Sequence, residues 1–325
     1  MKVMTRVKGL LAAAVAAAGL VAFAEPVVEI TKAWQANPGS GVVDFTYEVR
    51  DLDGASCDLV VRVEAKGCNK TYTFTNENVA AGLTTTNVNY KTKLGMLSPN
   101  VSIYASLVKC QMRGVQLWEG GPIWADRNVG ADKPEDSGYY FWWGDTVGYK
   151  RNTANNGWVS SQDGTTPIEF NLASPLASKT YNLDNSQLQA RGWIGEDGCL
   201  MPTNDAARVH LGGDWRMPTI DEIKDLATNC TYQLTTRGGV SGVIVSSKID
   251  SSKSIFFPEA GYGLGNAIYN IGTDGHIWSS QSNKDNIRHA WLLSCGPIPG
   301  GVNFYWYSNK ERNLGLSVRA VKDAK

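Results

Sequence analysis

The residues best suited to contact a ligand lie late in the chain: Asn283, Arg288, Asn303, Tyr305, Tyr307 and Asn309. Rigid aromatic rings supply contact area at little conformational cost, and amide or guanidinium groups add adaptable hydrogen bonds, as in antibody paratopes. In the run VNFYWYSN (Val302 to Asn309) a strand places alternate side chains on opposite faces. Phe304 and Trp306 then pack inward while Asn303, Tyr305 and Tyr307 point outward, or the reverse.

Catalytic chemistry is less well supplied. His210, His276 and His289 lack the i, i+4 spacing that sets two metal ligands on one helical face. His210, close to an expected helix C-terminus, suits the negative end of the dipole. Six cysteines fall three and three, as Cys57, Cys68 and Cys110 and then Cys199, Cys230 and Cys295, with no C-x-x-C pair. An odd number per half leaves one over in each or forces a bridge between halves; isolated buried thiols are the other reading. Asn283, Asp285 and Asn286 could offer oxygens to calcium, but without a spacing rule a solvated turn describes them better. There is no G-x-S-x-G elbow, H-E-x-x-H or phosphate loop. Paired carboxylates for glycoside hydrolysis depend on a separation that only the fold sets. No catalytic residue, metal or cofactor is expected.

Residues 1–24 read as a signal peptide: basic Lys2, Arg6 and Lys8, an Ala/Leu/Val core, and an Ala22-Phe23-Ala24 cleavage site. The core is too short for a comfortable membrane span, so the expectation is an exported chain that is periplasmic, cell-surface or extracellular, with no membrane insertion after cleavage. Export permits disulfides. Cleavage leaves 28 basic against 31 acidic residues, a net charge of −3. That balance lacks the basic footprint of a nucleic-acid binder.

Residues 25–110 read as an all-β sandwich of immunoglobulin or fibronectin type. Val43, Phe45, Tyr47 and Val49 alternate with polar residues, an Asp53-Gly54 turn follows, and Leu59, Val61 and Val63 repeat the pattern. Further strands are expected at 70–75, 86–92 and 101–109. Nothing here carries chemistry, which suits a spacer or docking module. A linker at 111–121 leads to a larger region at 122–325. There Thr219 to Glu222 forms a T-x-x-E capping box, and a second short helix is expected from Asn204 to Leu211, closed by Gly212. From Ser254 onward strand and turn alternate.

Five strings carry a resemblance: IWADRNVGADKPEDSGYYFWWGD from Ile123, GDWRMPTIDEIKDL from Gly213, SIFFPEAGY from Ser254, IYNIGTDGHIWSSQ from Ile268, and GLSVRAV from Gly315. In this order they resemble the Fibrobacter succinogenes major paralogous domain, over about Trp118 to Val321. That bacterial family is similar to the formylglycine-generating and C-type-lectin-like folds, which implies an α+β domain with a small twisted antiparallel sheet and long excursions. Trp215, Trp278 and Trp291 are expected in the core, and Arg216 and Arg319 as hydrogen-bonded ties between loops. The oxidase relatives work with a cysteine pair and a metal; no motif around Cys230 or Cys295 transfers that role. The lectin calcium strings are absent. Similar domains serve as variable receptors, with variation concentrated in the C-terminal stretch. The expectation is therefore a secreted or cell-surface, non-enzymatic protein that binds a glycan or protein through its C-terminal domain. The alternatives are a divergent formylglycine-generating-type enzyme and a structural envelope protein.

Overall fold

The computed structural model describes residues 27–324 apart from 38, 51–56, 66–69, 96, 99–100, 109–111, 153–156, 163–166, 169 and 171–178, and apart from the side chains of 108, 167, 168, 306 and 307. The expected signal peptide and the Asp53-Gly54 turn lie outside the described residues. Two compact units divide between Arg113 and Gly114. Strands dominate both, and no described helix is long and apolar enough to cross a membrane.

The first unit holds β1 (Val27–Trp34), β2 (Val42–Arg50), β3 (Cys57–Ala65), β4 (Lys70–Val79), β5 (Gly82–Asn89), α1 (Tyr90–Leu94) and β6 (Val101–Val108). Antiparallel pairing builds two sheets, β1-β2-β5 and β4-β3-β6. The alternation in β2 and β3 does what its period of two predicts: Val43, Phe45, Tyr47 and Val49 join Leu59, Val61 and Val63 in one buried cluster between the sheets. Each such side chain contributes roughly 1.5–3 kcal/mol on burial. The strand expected at 86–92 stops at Asn89, because the Asn89 side chain accepts from the amide of Thr92 and starts α1 instead. Cys57 is disulfide-bonded to a partner outside the described residues.

The second unit begins inside the expected linker. Residues 114–116 form β7 (Gly114–Gln116), which pairs with β8 (Ile123–Asn128). Next come β9 (Tyr149–Asn152), β10 (Gly157–Ser160) and β11 (Pro167–Ile168), a small sheet. Three helices follow, α2 (Asn185–Ala190), α3 (Ala206–Leu211) and α4 (Ile220–Asn229). The sheet β12 (Cys230–Arg237), β13 (Val240–Ser247) and β14 (Ser254–Pro258) precedes a hairpin of β15 (Tyr262–Leu264) and β16 (Ala267–Tyr269). The sheet β17 (Gly275–Ser282), β18 (His289–Ile298) and β19 (Gly301–Glu311) follows, and β20 (Arg319–Lys322) pairs back onto β8.

The GLSVRAV string is a seam. Gly315 bridges to Gly263, Leu316 to Phe141, Ser317 to Ile277 and Val321 to Arg216. Arg319 is fully buried and donates to Asn128 Oδ1 (2.9 Å), the Ala125 carbonyl (3.1 Å) and the Phe256 carbonyl (2.8 Å). Arg216 grips Glu222 through two bonds of 2.8 and 2.7 Å and reaches Asp323 at 2.7 Å. Both arginines are ties between loops, as expected. The capping box forms: the Thr219 hydroxyl accepts from the Glu222 amide, and Glu222 accepts from the Thr219 amide. Asp205 caps α3, so that helix starts two residues later than expected, and Gly212 ends it with φ 68.

The YYFWW run supplies the core. Trp142 and Trp158 pack edge-on against Phe170 at 5.0 and 4.7 Å. The indoles of Trp142, Trp143 and Trp278 each donate to a buried carbonyl, from Asn313, Ser279 and Phe141 respectively, at 2.9 Å. Such partners offset the cost of burying an N–H. Of the tryptophans expected inside, Trp278 is buried, whereas Trp215 and Trp291 are half-buried. Trp215 lies beneath Lys322 Nζ, and Trp291 stands opposite the polar Asn309 toward one end of its strand.

Candidate functional site

The β17–β19 sheet decides which of the six candidate residues can act together. Residues directly opposed on antiparallel strands share a face. Asn303 opposes Gly296, and Tyr305 opposes Ser294, which in turn opposes His276. The register then shifts: Leu292 opposes Ser308 and Trp291 opposes Asn309. Trp306 and Tyr307 together face Leu293 alone, a β-bulge on β19. One extra residue reverses the alternation, so Asn309 lies on the opposite face from Asn303 and Tyr305. The single face expected from Asn303 to Asn309 is therefore two. The Tyr307 side chain lies outside the described residues. Phe304 points inward, stacked on Tyr232 at 4.9 Å and edge-on to Phe257 at 6.2 Å, while Tyr305 is 58% exposed.

The face carrying Asn303 and Tyr305 gains partners that the sequence did not single out. In the β15–β16 hairpin Gly263 opposes Ile268, and Tyr262 opposes Tyr269. Ile268 packs on the buried aromatic cluster, and a Cβ at Gly263 would meet Phe170 and Trp158 at 2.9 Å, so only glycine lets the hairpin lie this close. Alternation then puts both tyrosines on the other side, stacked at 5.7 Å. Tyr262 packs 5.9 Å from the ring of His276, and Lys310, on the same sheet face, sets Nζ 4.7 Å from the Tyr262 ring. His276 is buried, and neither of its nitrogens has a hydrogen-bond partner; burial first, and Lys310 second, pull its pKa down to about 3. It is a neutral imidazole with one donor and one acceptor unused. Asn303 Oδ1 is also buried without a partner. A hairpin with a tyrosine at each end of its pair was the available sequence signal.

The remaining candidates sit elsewhere. Asn283 is buried, and its Oδ1 accepts from the Asp285 amide, so it shapes a turn and is withdrawn as a ligand contact. Arg288 is exposed, donates to Asn182 Oδ1 at 2.9 Å and lies over Tyr181, whose hydroxyl donates to Glu311. Asn309 Oδ1 is hydrogen-bonded to His289 Nδ1. Arg288 and Asn309 thus belong to a second, separate polar cluster.

A cavity of about 300 Å³ opens beside α3 and α4, lined among others by Asp197, Cys199, Asp205, Arg208, Arg216 and Ser280. Its charged groups are engaged in the structure: Asp205 takes the amides of Arg208 and Met217, Arg216 holds Glu222 and Asp323, and Arg208 donates to the Gly213 carbonyl. The Cys199 thiol is pushed up to about 11, chiefly by burial. Cys199, Cys230 and Cys295 are all free, so the second unit holds no disulfide among the described residues, and burial pushes Cys230 and Cys295 up to about 12. All three are protonated, neutral thiols, and so poor nucleophiles. Among the described residues no group of three His, Cys, Asp or Glu side chains could hold a metal ion. His210 sits in the last turn of α3, as expected; its Nε2 meets the Thr146 carbonyl, the ring packs on Tyr139 and Phe141, and burial lowers its pKa.

No family model matches the chain, and neither a curated protein nor a solved structure matches it.

Proposed function

We propose that this chain is an exported, non-enzymatic binding protein that recognises a glycan or protein through its second unit, a lectin-like domain of the major paralogous type. The observation that carries this reading is the face of β19 beside the β15–β16 hairpin. It collects exposed Tyr305 and Tyr269 with polar groups that lack partners inside the protein. Rigid aromatics beside unsatisfied polar groups are what a recognition surface needs. The order of β1-β2-β5 against β4-β3-β6 supports an immunoglobulin- or fibronectin-like first unit serving as a spacer. A divergent formylglycine-generating-type oxidase calls for two thiols in one cleft. Of the described cysteines Cys199 alone lines the cavity, as a neutral thiol.

The test is a glycan array together with protein pull-downs, using the secreted form of the full chain. Specific, saturable capture of a glycan or protein is expected. An array and pull-downs both at background would refute the reading.

A further inference from the structure

We propose that the ligand is a neutral saccharide, held on the β17–β19 face by Tyr269, His276, Asn303, Tyr305 and Lys310, with the Tyr262 ring turned aside. This rests on the binding reading above and names its ligand class and site. The starting point is His276. It is 4% exposed, yet both ring nitrogens lack a partner. Most buried side-chain polar atoms in native proteins are satisfied, and one left bare calls for a reason such as a missing ligand or water. A second bare acceptor, Asn303 Oδ1, lies on the same sheet face. The register runs His276–Ser294–Tyr305 across three strands, so imidazole and tyrosine are separated by one intervening strand, or roughly 10 Å.

The surrounding groups select the class. The Tyr262 ring has the Lys310 ammonium 4.7 Å from its centroid and the Tyr269 ring stacked at 5.7 Å, with planes only 21° apart. Tyr269 is 47% exposed, which leaves part of the side chain available to a flat apolar partner. A pyranose ring offers such a face in its C–H bonds. Its hydroxyls both donate and accept, and that matches a neutral imidazole, which needs one of each, and an amide oxygen, which needs a donor. A carboxylate or phosphate would supply acceptors only, leaving the bare imidazole nitrogen and Asn303 Oδ1 unmet. The Tyr262 ring packs against His276, so a hydroxyl reaches the imidazole by displacing that ring.

The experiment screens the full chain against an array of neutral oligosaccharides. The best binder is then titrated calorimetrically into wild type, Tyr269→Ala, Tyr305→Ala, His276→Phe and, as a control in the separate polar cluster, Arg288→Ala. Circular dichroism checks that each variant is folded. Tyr269→Ala, Tyr305→Ala and His276→Phe should each weaken binding about tenfold or more, and Arg288→Ala less than about twofold. The imidazole ¹⁵N resonances of His276 should move when sugar is added. Sugar binding that ignores the three site variants but falls in Arg288→Ala overturns the site and leaves the binding reading intact. A protein ligand with no saccharide overturns the ligand class alone. Background signal in every assay overturns both.

Discussion

Replacing His276 with phenylalanine should make the protein more stable. The side chain is buried, and a neutral imidazole left without partners carries one bare donor and one bare acceptor. Each such group costs about 1–3 kcal/mol in the folded state. Phenylalanine removes both and keeps a flat ring against Tyr262, 5.9 Å away. Its slightly larger ring crowds the site, a cost of about 1–3 kcal/mol. On central values, about 4 less about 2, the balance is a gain of about 2 kcal/mol, and each kcal/mol corresponds to about 2–4 °C for a domain of 150–250 residues. Urea unfolding and calorimetry at neutral pH measure it. A destabilisation beyond about 1 kcal/mol would refute the reasoning, because the nitrogens would then be making bonds that matter.

Acid sharpens this comparison. The folded value of about 3 lies below the ordinary histidine value of 6.5, so the unfolded chain binds the extra proton between the two. Stability from this group is complete above about pH 6.5 and declines as pH falls toward 3. The groups facing the imidazole are Tyr262 and Lys310. The advantage of His276→Phe should therefore widen on acidification through that window, and a constant difference would contradict a neutral buried imidazole. Stability gained where binding is lost is the trade expected of a functional residue.

Two further outcomes follow from the buried ties and thiols. Arg319→Met leaves Asn128 Oδ1 and two carbonyls without their donor, which should cost at least about 3 kcal/mol in a urea titration; a loss below 1 kcal/mol would show that the seam holds without it. Under native conditions a maleimide should label Cys199, which lines the cavity, well before buried Cys230 and Cys295. Mass spectrometry of the labelled peptides reads the order, and equal rates would contradict the burial.

Much of the local structure was legible in the chain itself. A threonine hydroxyl three residues from a glutamate makes a helix start wherever it occurs, and Thr219 and Glu222 need only each other. Gly212 ends a helix for the same local reason, and the alternation in β2 and β3 separates a wet face from a buried one without reference to any partner. Asn89 is the counter-case: its side chain competes for a nearby amide, and strand gives way to helix.

What tertiary structure alone decided is which side chains share a face. The bulge at Trp306 and Tyr307 exists because β19 carries one residue more than the stretch of β18 it pairs with. A single strand read by itself cannot reveal a mismatch with its neighbour, so Asn309 left the face that Asn303 and Tyr305 keep. His276 was equally silent in sequence. Its isolation arises from a register spanning three strands and from a hairpin that glycine lets settle close to a tryptophan and a phenylalanine. Capping and alternation act over a few residues, whereas partnership across strands depends on contacts between distant parts of the chain, and those form only on folding.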